Sequence, residues 1–174
     1  MNPNIETNDS ETAIRIRKVK RGDKPDILTI EQDSFENPWC QSDLDCIFGL
    51  QANCGCIVAE YDEQVIGFIV CKPQFGKVRI LDIAVTDVFR RRGCGTDLVD
   101  TLIAQLCPDS LRSIVAIVRE TNDAAISFFA KLGFRGTKVL RQPYNDSPED
   151  AYRLEWNLAG HREIVANGKG AGHE

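Results

Sequence analysis

Leu81-Asp82-Ile83-Ala84-Val85-Thr86-Asp87-Val88-Phe89-Arg90-Arg91-Arg92-Gly93-Cys94-Gly95-Thr96-Asp97-Leu98 is the stretch on which the fold turns. An apolar, β-rich run ends in a loop holding three arginines and two glycines, and a helical pattern (Leu98, Val99, Leu102, Ile103) follows at once. Glycines let backbone come close to a ligand, the N–H groups of a first helical turn have no partner within the helix, and the aligned peptide dipoles add about half a positive charge there. A strand, an arginine-rich loop and a helix start in series predict a cradle for a pyrophosphate. Two well-known phosphate motifs are absent. The dinucleotide fingerprint would need glycine where Leu98 stands, and no G-K-[ST] triplet exists for a P-loop.

Working outward from that junction, the N-terminal side reads as three consecutive antiparallel strands, Cys56 to Tyr61, Val65 to Lys72 and Val78 to Val85, with Asp62-Glu63-Gln64 as a hairpin turn. Ahead of them lie a first strand around Ile14, Ile16 and Val19, a helix carrying Ile27, Leu28, Ile30 and Phe35 with Asp23 as its N-cap before Lys24-Pro25, and a short helix from Gln41 to Phe48. On the other side, a helix from Thr96 to Leu106 precedes the apolar run Ser113 to Val118, which suits a strand covered on both faces. Asn122 to Leu132 is helical and stops at Gly133; strands at Gly136 to Leu140 and Ala151 to Asn157 flank the turn-rich loop Gln142 to Asp150. The order β-α-α-β-β-β-α-β-α-β-β predicts an α/β (α+β) mixed sheet with helices on its faces. One domain is expected over residues 12–158, between polar flexible tails at 1–11 and 159–174.

Composition narrows the chemistry. The 174 residues are 43% hydrophobic and 27% charged, as in an ordinary globule. Only His161 and His173 exist, both in the C-terminal tail, which removes most histidine-dependent triads and zinc sites; no metal is expected. A net charge of −5 argues against a nucleic-acid partner. The seven cysteines, an odd number, read as buried free thiols of a cytoplasmic protein, with Cys54 and Cys56 as strand residues of one face. No run approaches the ~20 apolar residues of a bilayer span, so no membrane association is expected.

Arg90-Arg91-Arg92-Gly93-Cys94-Gly95 fits R/Q-x-x-G-x-G/A, and here the sequence resembles the GCN5-related N-acetyltransferase (GNAT) superfamily, whose members bind acetyl-coenzyme A with this motif. Val118-Arg119-Glu120-Thr121-Asn122 through Gly133-Phe134 is similar to the strand-then-helix block of that family, and Glu36-Asn37-Pro38-Trp39, Tyr144 and Glu149-Asp150-Ala151 look like substrate-side features of the RimI-like ribosomal-protein alanine N-acetyltransferases. The resemblance implies a mostly antiparallel sheet of about seven strands with about four helices. It implies acetyl-CoA as co-substrate: the backbone of Ile83, Ala84 and Val85 would pair with the pantetheine arm, Arg90, which opens the motif, Arg91, Arg92, Gly93, Cys94, Gly95 and Thr96 would hold the pyrophosphate, and Asn122 would touch the cofactor.

The sequence departs from the family at the catalytic positions. The usual general base is replaced by Ile117, the usual tyrosine acid by Phe129, and an alternative base position by Arg79. An acetyl thioester is already activated and an N-terminal amine titrates near 8, so positioning can supply much of the rate. Tyr144 is the preferred candidate acid, and Asp82, Glu60 or Glu120 the candidate bases through a water. The acceptor stays open between a protein N-terminus and a small amine, with a CoA-binding module that has lost catalysis as the alternative. The expected assembly is a monomer or a homodimer.

Overall fold

The structure, a computed structural model, describes residues 13–49, 53–106 and 112–158. Expectations that concern the two tails, the histidines and Cys107 lie outside the described residues. The elements are β1 (Arg15–Lys18), α1 (Lys24–Ser34), α2 (Gln41–Ile47), β2 (Gly55–Tyr61), β3 (Gln64–Gln74), β4 (Lys77–Val85), α3 (Cys94–Ala104), β5 (Ser113–Arg119), α4 (Asp123–Lys131), β6 (Arg135–Leu140) and β7 (Ala151–Asn157). One seven-stranded sheet runs β1-β2-β3-β4-β5-β7-β6. Every neighbouring pair is antiparallel except β4 with β5.

That exception builds the site. β4 and β5 are paired only at Val78 with Ile114 and Arg79 with Val115. Beyond Arg79 the two strands part, while β4 stays on β3 to Val85 and β5 stays on β7 to Arg119. A bulge in β4 between Ile80 and Asp82 bends the strand just after the parting.

Both β-hairpins before the splay turn on two residues in the left-handed region, Asp62 and Glu63 in one, Phe75 and Gly76 in the other. The second hairpin carries β3 to Gln74 and starts β4 at Lys77, longer strands than the sequence pattern indicates.

Two apolar layers sandwich the sheet. On one face Leu98, Val99 and Leu102 of α3 and Phe129 of α4 pack on Ile57, Ile69, Ile80, Ile114 and Trp156. On the other, Ile27 and Ile30 of α1 and Leu44 of α2 pack on Val58, Phe68 and Val70. β2 and β3, covered on both sides, are therefore nearly continuous in apolar residues.

Three local expectations are corrected. Asp23 does not cap α1: its carboxylate accepts the Lys20 N–H at 2.6 Å and Arg17 Nη1 at 2.7 Å, because the half-buried Arg17 guanidinium is the stronger partner. Arg17 also donates to Glu60 Oε2 at 2.6 Å, so Glu60 is committed to an ion pair at the β1–β2 edge and is withdrawn from the candidate bases. Cys54 precedes β2, leaving only Cys56 as a strand residue; Cys56, Cys71 and Cys94 are buried thiols, while Cys40 and Cys46 are exposed.

Candidate functional site

The start of α3 is built as a cradle. Gly93 sits at the N-cap with φ +92°, a conformation that costs a side-chain-bearing residue free energy and costs glycine little. The first helical bond is Asp97 N–H to Gly93 C=O at 3.0 Å, so the N–H groups of Cys94, Gly95 and Thr96 have no carbonyl of the helix to reach, and Gly93 brings no capping side chain. Arg91, itself at φ +63°, and Arg92 are exposed beside them, and the Arg92 guanidinium lies 5.4 Å from the Phe89 ring centre.

Arg90 has a different task. Its Nε donates to the Val85 carbonyl at 2.9 Å and its Nη1 pairs with Asp87, which braces the loop against the end of β4. Cys94 turns its side chain inward: Sγ donates to the Phe89 carbonyl at 3.5 Å, and burial raises the thiol above its ordinary value. Gly95 is small for a packing reason. A Cβ there would stand 3.2 Å from the Phe128 ring, so this glycine lets α4 close on α3.

The parted edge of β4 is polar and open. Thr86 N–H donates to Ile66 C=O, and the alternation of an antiparallel ladder then assigns the Ala84 amide to β3 and turns those of Ile83 and Val85 toward β5. Of the three residues expected to offer backbone to an extended ligand, Ala84 is therefore excluded, because its groups are spent in the sheet. Val85 has its carbonyl occupied by Arg90.

Asp82 lies at the lip of this edge, its Oδ1 accepting the Ile83 N–H at 2.7 Å. Burial and the neighbouring Glu31 carboxyl push Asp82 up to about 8, and burial raises Glu31 as well. Glu31 is 1% exposed; its Oε1 accepts the Trp39 N–H at 3.1 Å, and Oε2 has no partner among the described residues. Both carboxyls are raised by burial, so the pair holds on to a proton toward neutral pH and titrates as a unit.

On the far side, Arg119 at the end of β5 organises the Gln142 to Asp150 loop. Its guanidinium donates to both oxygens of Asp146 (3.1 and 2.9 Å) and to Glu149 Oε2 (3.0 Å), and lies 4.0 Å from the Tyr144 ring centre. Asn37, in the α1–α2 loop, donates to Asp146 Oδ2 at 3.0 Å, tying the two loops together. Tyr144 is half-buried and its phenol is raised by that burial, with Arg119 and Arg79 opposing. Glu120, through Oε1, accepts the Asp150 N–H and is a loop clasp. Asn122 caps α4, its Oδ1 accepting the Ala125 N–H at 3.0 Å. Phe129 is 2% exposed against Phe128 and Phe134.

The residues that sequence reasoning missed are Glu31, Arg119 as organiser, and Arg79 as a cation instead of a missing base. Partners 27 to 109 positions apart leave no local pattern to read. Among the described residues no group of three or more His, Cys, Asp or Glu side chains could hold a metal ion, and no helix is long and apolar enough to cross a membrane.

Residues 24–134 match the model of the acetyltransferase (GNAT) family. An uncharacterized N-acetyltransferase of Methanocaldococcus jannaschii is 33% identical over 142 residues, 78% of this chain and 86% of that protein. An N-alpha-acetyltransferase of Sulfurisphaera tokodaii is 35% identical over 110 residues, which cover 56% of this chain and 65% of the relative, just under two thirds of its length. The crystal structure of Ard1 from Thermoplasma volcanium superposes with a TM-score of 0.74 at 31% identity, over 84% of this chain and 98% of that one. The ribosomal-protein-S18-alanine N-acetyltransferase from Escherichia coli has the same fold, with a TM-score of 0.74 at 24% identity over 84% of this chain and 94% of that one.

Proposed function

Because this chain belongs to the acetyltransferase (GNAT) family, we propose that it transfers the acetyl group of acetyl-CoA to the α-amine of a protein N-terminus, by direct attack with both substrates bound. The observation that carries the reading is the splay: a strand edge that β5 leaves unpaired, with the Ile83 carbonyl and the Val85 N–H open, runs into an uncapped helix start flanked by arginines. An extended amide-containing ligand ending in a pyrophosphate matches that sequence of donors and acceptors in order. The N-alpha-acetyltransferase relatives support the choice of acceptor.

When bound, acetyl-CoA supplies an activated thioester. The Ile83 carbonyl and the Val85 N–H, the two groups of this edge not taken by Asp82 and Arg90, hold the pantetheine arm, while the N–H groups of Cys94, Gly95 and Thr96, with Arg91 and Arg92, hold the pyrophosphate. Arg90 keeps the loop in register, and the Asn122 side-chain NH2, free of the cap, is left to contact the cofactor. The amine nitrogen forms the new C–N bond as the C–S bond breaks; the nitrogen loses a proton and the sulfur gains one.

Tyr144, held over Arg119 in the loop facing the splay, donates to the leaving sulfur. Asp82 accepts a proton only above about pH 8, so at neutral pH the fraction of amine that arrives uncharged does the attacking. Loss of titratable groups at Ile117 and Phe129 is compatible with that division, since positioning supplies the rate.

Two measurements test the reading. Calorimetry with acetyl-CoA reports the cradle, and release of free thiol with a short peptide beginning in Ala reports transfer, mass spectrometry locating the acetyl group on the α-amine. The same peptide blocked at its N-terminus must be inert. Binding of acetyl-CoA without thiol release from any peptide or small amine would favour a CoA-binding module; release with small amines alone would move the acceptor to that class.

A further inference from the structure

The alternation that sends Val78, Ile80, Ile114 and Ala116 into the α3–α4 layer sends Lys77, Arg79, Val115 and Ile117 to the opposite face of the sheet. There α1 and α2 cover β2, β3 and the far part of β4 only, through residues such as Val58, Phe68 and Ala84. Over β4, β5 and β7 a recess of about 240 Å3 remains, lined by Lys77, Arg79, Val115, Ile117 and Arg153, with Phe75 of the hairpin tip 94% exposed at its border. Arg79 is the last β4 residue paired with β5, so the recess opens at the vertex of the splay.

Three cations meet in this recess, and one carboxylate serves two of them: Glu155 pairs with Lys77 Nζ at 2.5 Å and with Arg153 Nη2 at 3.0 Å. Arg79 Nε is buried and has no hydrogen-bond partner among the described residues. A buried guanidinium N–H without an acceptor is a standing free-energy cost that an incoming carboxylate oxygen relieves, with a second oxygen available for Lys77 or Arg153. In a chain of net charge −5, this concentration of positive charge beside the reacting vertex is out of keeping with the whole.

We propose that the recess receives a carboxylate of the acceptor, so that the preferred substrate is a peptide N-terminus with Asp or Glu directly following the residue that is acetylated. This rests on the acetyl-transfer reading of the same splay. At 240 Å3 the recess is below the ~300–1,000 Å3 of ordinary small-molecule sites, which suits the first one or two residues of a chain whose remainder lies outside. The same charges act on the amine: a nearby cation disfavours the ammonium form, so Arg79 raises the neutral fraction of an amine for which Ile117 offers no base.

The test is a set of equal-length peptides beginning Ala-Glu-Glu, Ala-Gln-Gln and Ala-Lys-Lys, assayed for thiol release with the native protein, Arg79→Gln and Arg79→Lys. The acidic peptide should exceed the neutral one at least tenfold in kcat/KM, mostly through KM, and the basic one should be poorest. Arg79→Gln should erase most of that gap, and Arg79→Lys should retain part of it. Equal kcat/KM for the three peptides, or an acidic preference untouched in Arg79→Gln, overturns the proposal.

A second arm offers free amino acids with two carboxylates. If these outdo the peptides, the carboxylate recess stands and the protein-N-terminus reading falls. If nothing is acetylated, calorimetry of the acidic peptide against acetyl-CoA-saturated protein decides: binding that is lost in Arg79→Gln keeps the recess and defeats the enzyme reading, and no binding defeats the recess.

Discussion

Replacing Asp82 with Asn should change how stability depends on pH, and the structure gives the sign and size. In the folded protein Asp82 holds its proton up to about pH 8, because it is buried beside Glu31; in the unfolded chain it releases it near its ordinary value of 3.8. Between those limits the native state binds the extra proton, so the stability of the native protein falls as pH rises, by up to about 1.4 kcal/mol per pH unit from this one group. From pH 5 to pH 7 that is about 3 kcal/mol. Asp82→Asn cannot ionise, and its amide NH2 offers the neighbouring Glu31 carboxylate a donor in place of the proton that the native pair holds. Urea unfolding followed by circular dichroism and by tryptophan fluorescence, at pH 5, 6, 7 and 8, should give a variant that gains on the native protein by about 3 kcal/mol between pH 5 and 7. Two stability curves that run parallel over that range would refute the shared-proton pair. In kinetics, the variant should lose only the part of the alkaline rise that exceeds titration of the amine itself.

Gly95→Val should lower thermal stability as well as acetyl-CoA affinity, because the new side chain meets the Phe128 ring before it meets any ligand; overpacking of this kind costs about 1–3 kcal/mol, and loss of affinity at an unchanged Tm would restore a purely ligand-based role. Cys94→Ala should retain turnover, since the thiol is turned into the core and raised in pKa, and a trapped acetyl-cysteine would overturn direct transfer. Arg119→Met should raise KM for the acceptor with little change in acetyl-CoA affinity, because it removes the guanidinium that Asp146, Glu149 and Tyr144 share; equal losses for both substrates by calorimetry and kinetics would contradict that assignment. Tyr144→Phe should reduce kcat on the order of tenfold if its hydroxyl serves the leaving sulfur, and an unchanged kcat removes it from the mechanism.

What the chain announces locally is whatever depends on neighbours in sequence. Apolar period, turn residues and the Arg90 to Gly95 motif are short-range patterns, so the element order, a helix directly after Gly95 and a turn at Asp62-Glu63 are legible in the sequence, while the structure starts that helix two residues earlier, at Cys94, and gives Gln64 to β3. The family resemblance was legible for the same reason, since the backbone donors of a cradle need only a glycine-rich loop in front of a helix. Tertiary structure decided the rest. Whether an amide faces β3 or the open edge is set by ladder phase, which separates Ile83 and Val85 from Ala84 although the three read alike in sequence. The reason for Gly95 is a ring on another helix, and the protonation of Asp82 is set by Glu31, fifty-one positions away, because burial and Coulomb interactions act through space. Arg79 shows the division most plainly: in sequence it is only the wrong residue at a base position, two places from Lys77, and folding leaves its buried Nε without a partner at the vertex of the splay and brings Arg153 into the same recess, with one carboxylate serving both Lys77 and Arg153.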